Sequence, residues 1–237
     1  MFDYEYLLNY ARFLLEKDCA KATPEEPMTI IAAMWQDDGS IAIGADSRLT
    51  DVGPPILIHS EVHDKLKRHR SAPLAWGTVG DRTLGSRFSS WLTQWELPIG
   101  FEAFRETIAR QVSEMNGTQR EIMRLSKCRE QDIENSLFQL LLAGYVDGAM
   151  RLLSVDENGK PISTDPLEGH TALGTGAPNL KLILLTYKWL GVTKDPQTFA
   201  SALELAVLSA PLCGVPIYIW KVASDGVTDI TERLKGE

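Results

Sequence analysis

Cysteine is scarce in this chain. Cys19, Cys128 and Cys213 are odd in number, widely separated and without a CxxC pair among 237 residues. That excludes a disulfide framework and a structural zinc site, and a reducing cytoplasm is the expected compartment. Positive charge is also short. With 24 Lys and Arg against 32 Asp and Glu, the net charge is −8 and the isoelectric point lies near 5.1. Nucleic acid and anionic membrane both need a basic footprint, so neither is expected as a partner. No run of about 18 uncharged apolar residues is present to cross a membrane. Residues 1–28 lack the basic start, apolar run and small-residue cleavage site of a secretion signal. The four histidines form no HExxH motif or paired metal spacing. Gly174-Thr175-Gly176 lacks the further glycine and lysine of a phosphate loop. Neither metal nor cofactor is therefore expected, and any ATP would be handled by a partner.

What is present is a chain long enough for one sizeable domain with a full core. Its organising stretch runs from Met28 to Thr50. Thr29 to Trp35 reads as an apolar strand, Asp37-Asp38-Gly39-Ser40 as turn chemistry, and Ile41 to Ala45 as a second buried strand ending in Asp46-Ser47-Arg48. A threonine opens this hairpin. Were Thr29 the first residue, its own α-amine would lie beside its hydroxyl, and a threonine so placed is a self-activated nucleophile.

Ahead of the hairpin, Leu7, Leu8, Ala11, Leu14 and Leu15 fall at helical spacing, with Tyr4, Tyr6, Tyr10 and Phe13 among charged residues. Pro24 and Pro27 then release the chain into an extended linker. Residues 1–28 read equally as a detachable segment, a retained helical arm, or a stretch upstream of a true start at Met28. After the hairpin, Asp51 to Pro55 reads as a loop and Ile56 to His59 as a short strand. His63 to His69 by itself reads as a solvated basic patch.

Pro73 to Val79 is a third strand, running through Gly80-Asp81 into a helix with Leu84, Phe88, Trp91, Leu92 and Trp95 on one face. Such a junction leaves backbone N–H groups able to bind an oxyanion. A long helix follows from Phe101 to Ser126, with Asn116-Gly117 as a candidate break. Ser136 to Val146 and Ala149 to Val155 form a hairpin around Asp147-Gly148. Ala172 to Ala177 reads as a small-residue loop. Helices are expected from Pro178 to Trp189 and from Asp195-Pro196 to about Ser209, and strands over Pro216 to Val222 and Val227 to Ile230. Strands, two helices, strands, two helices, strands is the order of a sandwich of antiparallel sheets covered by helices on both sides.

Several motifs then coincide with a known pattern. Thr29-Ile30-Ile31, Ala45-Asp46-Ser47-Arg48-Leu49-Thr50, Lys65-Leu66 and Gly77-Thr78-Val79-Gly80-Asp81 occur in order. Ala143-Gly144-Tyr145, Gly174-Thr175-Gly176 and Ile217 to Val222 follow them. In these the chain resembles the proteasome β subunits and their bacterial relatives among the N-terminal nucleophile (Ntn) hydrolases, over residues 29 to 231. The resemblance implies an α+β, four-layer α/β/β/α sandwich over 29–237, preceded by the 1–28 extension. It implies Thr29 as nucleophile, with Asp46 and Lys65 flanking it. Gly80 would be the oxyanion donor and Thr175 the supporting hydroxyl. Arg48 would shape the hairpin. It further implies a threonine endopeptidase acting on peptides or unfolded protein, built as a homo-oligomeric ring and supplied by an ATP-dependent unfoldase.

Four departures accompany these matches. The family's later catalytic Asp falls on Ala210 and its nearby Ser on Cys213, with Ser209 as a candidate substitute. Met28 stands where a glycine usually precedes a self-processed threonine. The separation of Thr29 from Asp46 is one residue long, which places an insertion in the hairpin turn. Two alternatives follow: an inactive proteasome-like scaffold that keeps its N-terminal arm, or an amidase acting on a small molecule. Cys213, with no basic residue near it in sequence, reads as a buried core thiol.

Overall fold

The computed structural model describes residues 29–53, 56–61, 65–210 and 213–235. The expected N-terminal helix and its linker, Met28, Cys19 and His63 lie outside them, as do the side chains of Arg48 and His59. The hairpin forms as β1 (Ile31–Trp35) and β2 (Ile41–Asp46), paired without a break from Ile31–Ala45 to Trp35–Ile41. The connection between them runs from Gln36 to Ser40. There Gln36 N–H donates to the Ser40 carbonyl at 2.9 Å, and Gly39 adopts φ +80°.

These two strands lie at the centre of a five-stranded antiparallel sheet. β10 (His170–Leu173) pairs with β1, β11 (Ile217–Ala223) pairs with β2, and β12 (Gly226–Asp229) closes the edge. A second antiparallel sheet has the order β5 (Leu66–Arg68), β6 (Leu74–Gly80), β7 (Phe138–Val146), β8 (Ala149–Val155) and β9 (Pro161–Ser163). Following β2 in the chain, β3 (Arg48–Gly53) and β4 (Ile56–Glu61) pair as a separate two-stranded sheet.

Every position of β1 and β2 is buried because both faces are covered, and the period of two decides which side each residue serves. Ile31, Ala33, Ile41 and Ile43 meet Ala75, Leu141 and Ala143 of the second sheet. Ile30, Ala32, Met34 and Ala42 instead lie under α4 (Ala177–Trp189) and α5 (Pro196–Leu208). The far side of the second sheet is covered by α1 (Arg82–Gln94) and α2 (Phe101–Leu125), where Phe88, Leu92, Phe104 and Ile108 pack on Leu74, Trp76, Leu140 and Leu142. A short α3 (Glu130–Asn135) leads back into β7. The result is a four-layer α/β/β/α sandwich, as the order of elements and the resemblance both implied.

Three local expectations are corrected. Asp51 to Gly53 is strand rather than loop, because it pairs with β4 from Arg48–Glu61 to Gly53–Ile56. The stretch leading to His69 is not solvated throughout, although Arg68 is exposed. Leu66 is buried in β5, and His69 is only 7 % exposed. Its Nδ1 accepts the N–H groups of Ser71 and Ala72, and its Nε2 lies 2.9 Å from the Trp95 carbonyl. A carbonyl only accepts, so the proton is on Nε2.

Asn116 does not interrupt α2. Its side chain turns inward and donates to the carbonyls of Phe138 at 2.8 Å and Glu157 at 3.0 Å, while its oxygen accepts Phe138 N–H at 3.1 Å. The residue that looked like a break ties α2 to the start of β7. Asn116→Ala is expected to cost about 3 kcal/mol, since it strands buried backbone groups of Phe138 at roughly 1–3 kcal/mol each. The check is urea unfolding, in which the midpoint falls while the slope is unchanged.

Candidate active site

Thr29 enters just before β1, half-buried, with its carbonyl against the loop that ends β10. Gly174 adopts φ +97°, and a Cβ built there would lie 1.9 Å from the Thr29 carbonyl oxygen. Only glycine allows this approach. The same turn brings Thr175 beside the nucleophile candidate, so that the Thr29 backbone nitrogen donates to Thr175 Oγ1 at 3.3 Å. The stretch read as a small-residue loop is therefore partly strand, β10, and partly a support for the Thr29 nitrogen.

Asp46 closes β2 and is fully buried, yet it is well solvated by the protein. Its Oδ1 accepts Ile30 N–H at 3.0 Å and its Oδ2 accepts Gly214 N–H at 3.3 Å. Lys65, whose side chain is 7 % exposed, places Nζ 2.6 Å from Asp46 Oδ1. The same ammonium lies 3.4 Å from Thr29 Oγ1. Asp46, Lys65 and the Thr29 hydroxyl thus form one continuous chain of contacts drawn from β2, from the residue before β5 and from the residue before β1. Burial pulls the Lys65 pKa below its ordinary range, and the Asp46 carboxylate opposes that shift.

Gly80 stands at the end of β6, exposed, with φ +103°. A Cβ there would meet the Leu137 carbonyl at 2.0 Å. Asp81 N–H donates to that carbonyl at 2.9 Å, and donors alternate sides along an antiparallel ladder. Gly80 N–H is thereby turned away from β7, toward the side on which β5 and Lys65 lie. Asp81 also begins α1, its Oδ1 accepting Leu84 N–H at 2.8 Å.

Ala210 and Cys213 are buried together with Ile30 and Val207 in the cluster beneath α4 and α5. Ser209 sends its hydroxyl to the Leu205 carbonyl at 2.7 Å, within its own helix. Cys213 is buried as expected, with one addition from the fold. It is a buried core thiol, but Lys65 is near enough that a negative charge on its sulfur would favour the ammonium. The sequence hid this because the two lie 148 positions apart, counted as 213 − 65.

Sequence reasoning also missed the backbone of Ile30 and Gly214 as the donors that hold Asp46. Gly214 was legible only as part of the Cys213-Gly214-Val215 stretch. Its carbonyl also accepts Ser47 N–H at 3.1 Å, which docks that stretch beside Asp46.

A cavity of about 260 Å³ lies elsewhere, near Met34, His170, Leu184 and Tyr187. It is five residues along β1 from Thr29, roughly 17 Å at strand rise. Burial, with Lys181, Lys188 and Lys194 nearby, holds the His170 imidazole below its usual value of 6.5. The unfolded chain therefore binds this proton more readily than the folded one. His170's contribution is intact above pH 6.5 and is lost as pH falls through the lowered folded value. The melting temperature is expected to fall less steeply with acidification in His170→Gln than in the parent chain, measured by calorimetry.

Among the described residues no helix is long and apolar enough to cross a membrane, and no three metal-ligating side chains gather at one point. Two antiparallel sheets packed face to face between helix pairs form a four-layer α+β sandwich, with Thr29 leading into a central strand of one sheet. A particular solved structure carries the likeness: Anbu (ancestral beta-subunit) from Yersinia bercovieri, with a TM-score of 0.62 over 88% of this chain and 90% of that one. At 18% sequence identity the likeness is one of fold. No protein-family model and no curated protein sequence matches the chain.

Proposed function

We propose that this chain is a threonine-type endopeptidase, with residues 29–237 as the hydrolase domain and residues 1–28 as a segment removed before activity. The observation that carries this reading is the contact chain from Asp46 through Lys65 to Thr29 Oγ1. Once the Met28–Thr29 bond is cut, the nitrogen now held by Thr175 becomes a free α-amine. A nearby ammonium lowers an amine's pKa from about 8, so Lys65 favours the neutral, proton-accepting form.

The amine takes the proton of Oγ1 as the hydroxyl oxygen attacks a peptide carbonyl, and Gly80 N–H receives the developing oxyanion. The same proton passes to the departing nitrogen as the C–N bond breaks, leaving an ester on Thr29. Water then attacks the ester and gives one proton to the amine, which passes it to Oγ1 as the acyl–oxygen bond breaks, so that the acid is released and both the hydroxyl and the neutral amine of Thr29 are restored. Unfolded chains are the fitting substrate. Copies of this chain closed into a ring would keep folded proteins from such a site, and an ATP-dependent unfoldase would feed it.

A second reading, a scaffold that retains its N-terminal arm, is favoured by Ala210, which offers no carboxylate and lies in an apolar cluster. The deciding experiment is intact mass and N-terminal sequencing of protein expressed from Met1 and from Met28. A chain beginning at Thr29 that hydrolyses peptides supports the peptidase. Retention of residues 1–28, with an inactive Met28-start protein, replaces it with the scaffold.

A further inference from the structure

The cavity beside Met34 changes in polarity with depth. Its volume is about 260 Å³, and Met34 and Leu184, 4 % and 3 % exposed, form its inner wall. Charged groups stand at its mouth, where Asp37, Glu168 and Lys188 are exposed and Lys194 is half-buried. An apolar interior with a few convergent polar groups is the ordinary make-up of a small-molecule site.

The two lysines come from different elements, Lys188 from the last turn of α4 and Lys194 from the turn before α5. They end on neighbouring atoms. Lys188 Nζ donates to the Leu167 carbonyl at 3.2 Å, and Lys194 Nζ donates to the Pro166 carbonyl at 3.3 Å. Two like charges drawn to consecutive carbonyls repel each other, and among the described residues neither is ion-paired with a carboxylate. An anionic group set beside both relieves that repulsion.

The opposite sign is fixed at the same mouth. Asp37 Oδ2 accepts Lys194 N–H at 3.0 Å, and Asp37 N–H donates to the Lys194 carbonyl at 2.9 Å. The His170 imidazole, held below 6.5 by burial and the nearby lysines, is uncharged at pH 7. The lining therefore carries two ammoniums and two carboxylates, which together suit a ligand bearing both signs.

We propose that this cavity binds a zwitterionic α-amino acid with an apolar side chain. Its carboxylate meets Lys188 and Lys194, its ammonium meets Asp37 and Glu168, and its side chain enters between Met34, Leu184 and Tyr187. Size agrees with this class. An apolar cavity of about 150 Å³ holds a benzene, so 260 Å³ is filled by one branched or aromatic amino acid. The inference does not depend on the peptidase reading, because it uses no group that touches Thr29.

The test is titration calorimetry of the full chain with L-phenylalanine and L-leucine, beside 3-phenylpropionate, which lacks the ammonium, and phenethylamine, which lacks the carboxylate. Both amino acids are expected to bind, and each analogue of phenylalanine about tenfold or more weakly than phenylalanine itself. The His170 ring resonance, assigned by its loss in His170→Gln, should shift with the same Kd. Lys188→Met/Lys194→Met should weaken phenylalanine binding by about tenfold or more. Absence of binding by either amino acid overturns the proposal. Equal binding of 3-phenylpropionate overturns it in favour of a simple anion site. A His170 resonance that does not move, or affinity that survives loss of both lysines in a folded protein, overturns it by placing the ligand elsewhere.

Discussion

Thr29→Ala is expected to lower peptide hydrolysis by on the order of 10⁴-fold or more, because it deletes the attacking oxygen while leaving the supporting groups in place. Lys65, Asp46, Thr175 and the Gly80 N–H all remain, but none can form the ester. The measurement is turnover of fluorogenic peptides by full-length protein and its Thr29→Ala version, each checked by intact mass for the state of residue 29. Thr29→Ser is the companion variant. It keeps an oxygen at the same position and should retain a measurable fraction of the rate. The fold should be indifferent to both changes, since Thr29 is half-buried and outside the apolar clusters. Undiminished hydrolysis by the Thr29→Ala protein with a matching melting curve would remove Thr29 as nucleophile and end the peptidase reading.

Asp46→Ala is expected to be the most destabilising single change at the site. Three donors lose their acceptor at once: the Lys65 ammonium, Ile30 N–H and Gly214 N–H. A buried charge deprived of its partner typically costs about 3–5 kcal/mol, before the two amides are counted. At about 2–4 °C per kcal/mol for a chain of this size, the melting temperature should fall by roughly 10 °C or more. Activity should fall with it, because Lys65 would no longer be held 3.4 Å from Thr29 Oγ1. Asp46→Asn separates the two losses. It can still accept hydrogen bonds but cannot neutralise Lys65, and so should lie between Asp46→Ala and the parent. In the Asp46→Ala/Lys65→Met protein the stranded charge is gone, and its destabilisation should be smaller than the sum of the two single changes. A strictly additive result would mean that the 2.6 Å contact contributes nothing in solution.

Both expectations rest on a site whose parts were unequally legible. Residues 29 to 46 announced themselves. An apolar run, turn chemistry and a second apolar run are local signals, and the structure returns them as β1 and β2 in unbroken register. The helices α1 and α5 were legible for the same reason, because a face repeating every 3.6 residues needs no knowledge of what it packs against, and α4 was legible from Pro178 at its first turn. The failures occurred where distant partners decide. β10 looks like a loop until β1 supplies its ladder, from Ile31–Leu173 to Met34–His170. His69 looks solvated until α1 brings the Trp95 carbonyl to its ring. Asn116 looks like a helix break until β7 offers the backbone of Phe138.

The sequence by itself determined the order of the main strands and helices and the apolar character of both central strands, because composition and period act within a few residues of each position, while Thr29, Asp46 and Lys65 stood out together only through a resemblance. Tertiary structure alone decided that Lys65 spans Asp46 and Thr29, that Gly214 N–H holds the carboxylate, and that the Gly80 N–H turns toward the Lys65 side. Each of these joins groups from separate strands and loops. Desolvation, which makes the Lys65–Asp46 pair matter, exists only once two sheets have closed over it.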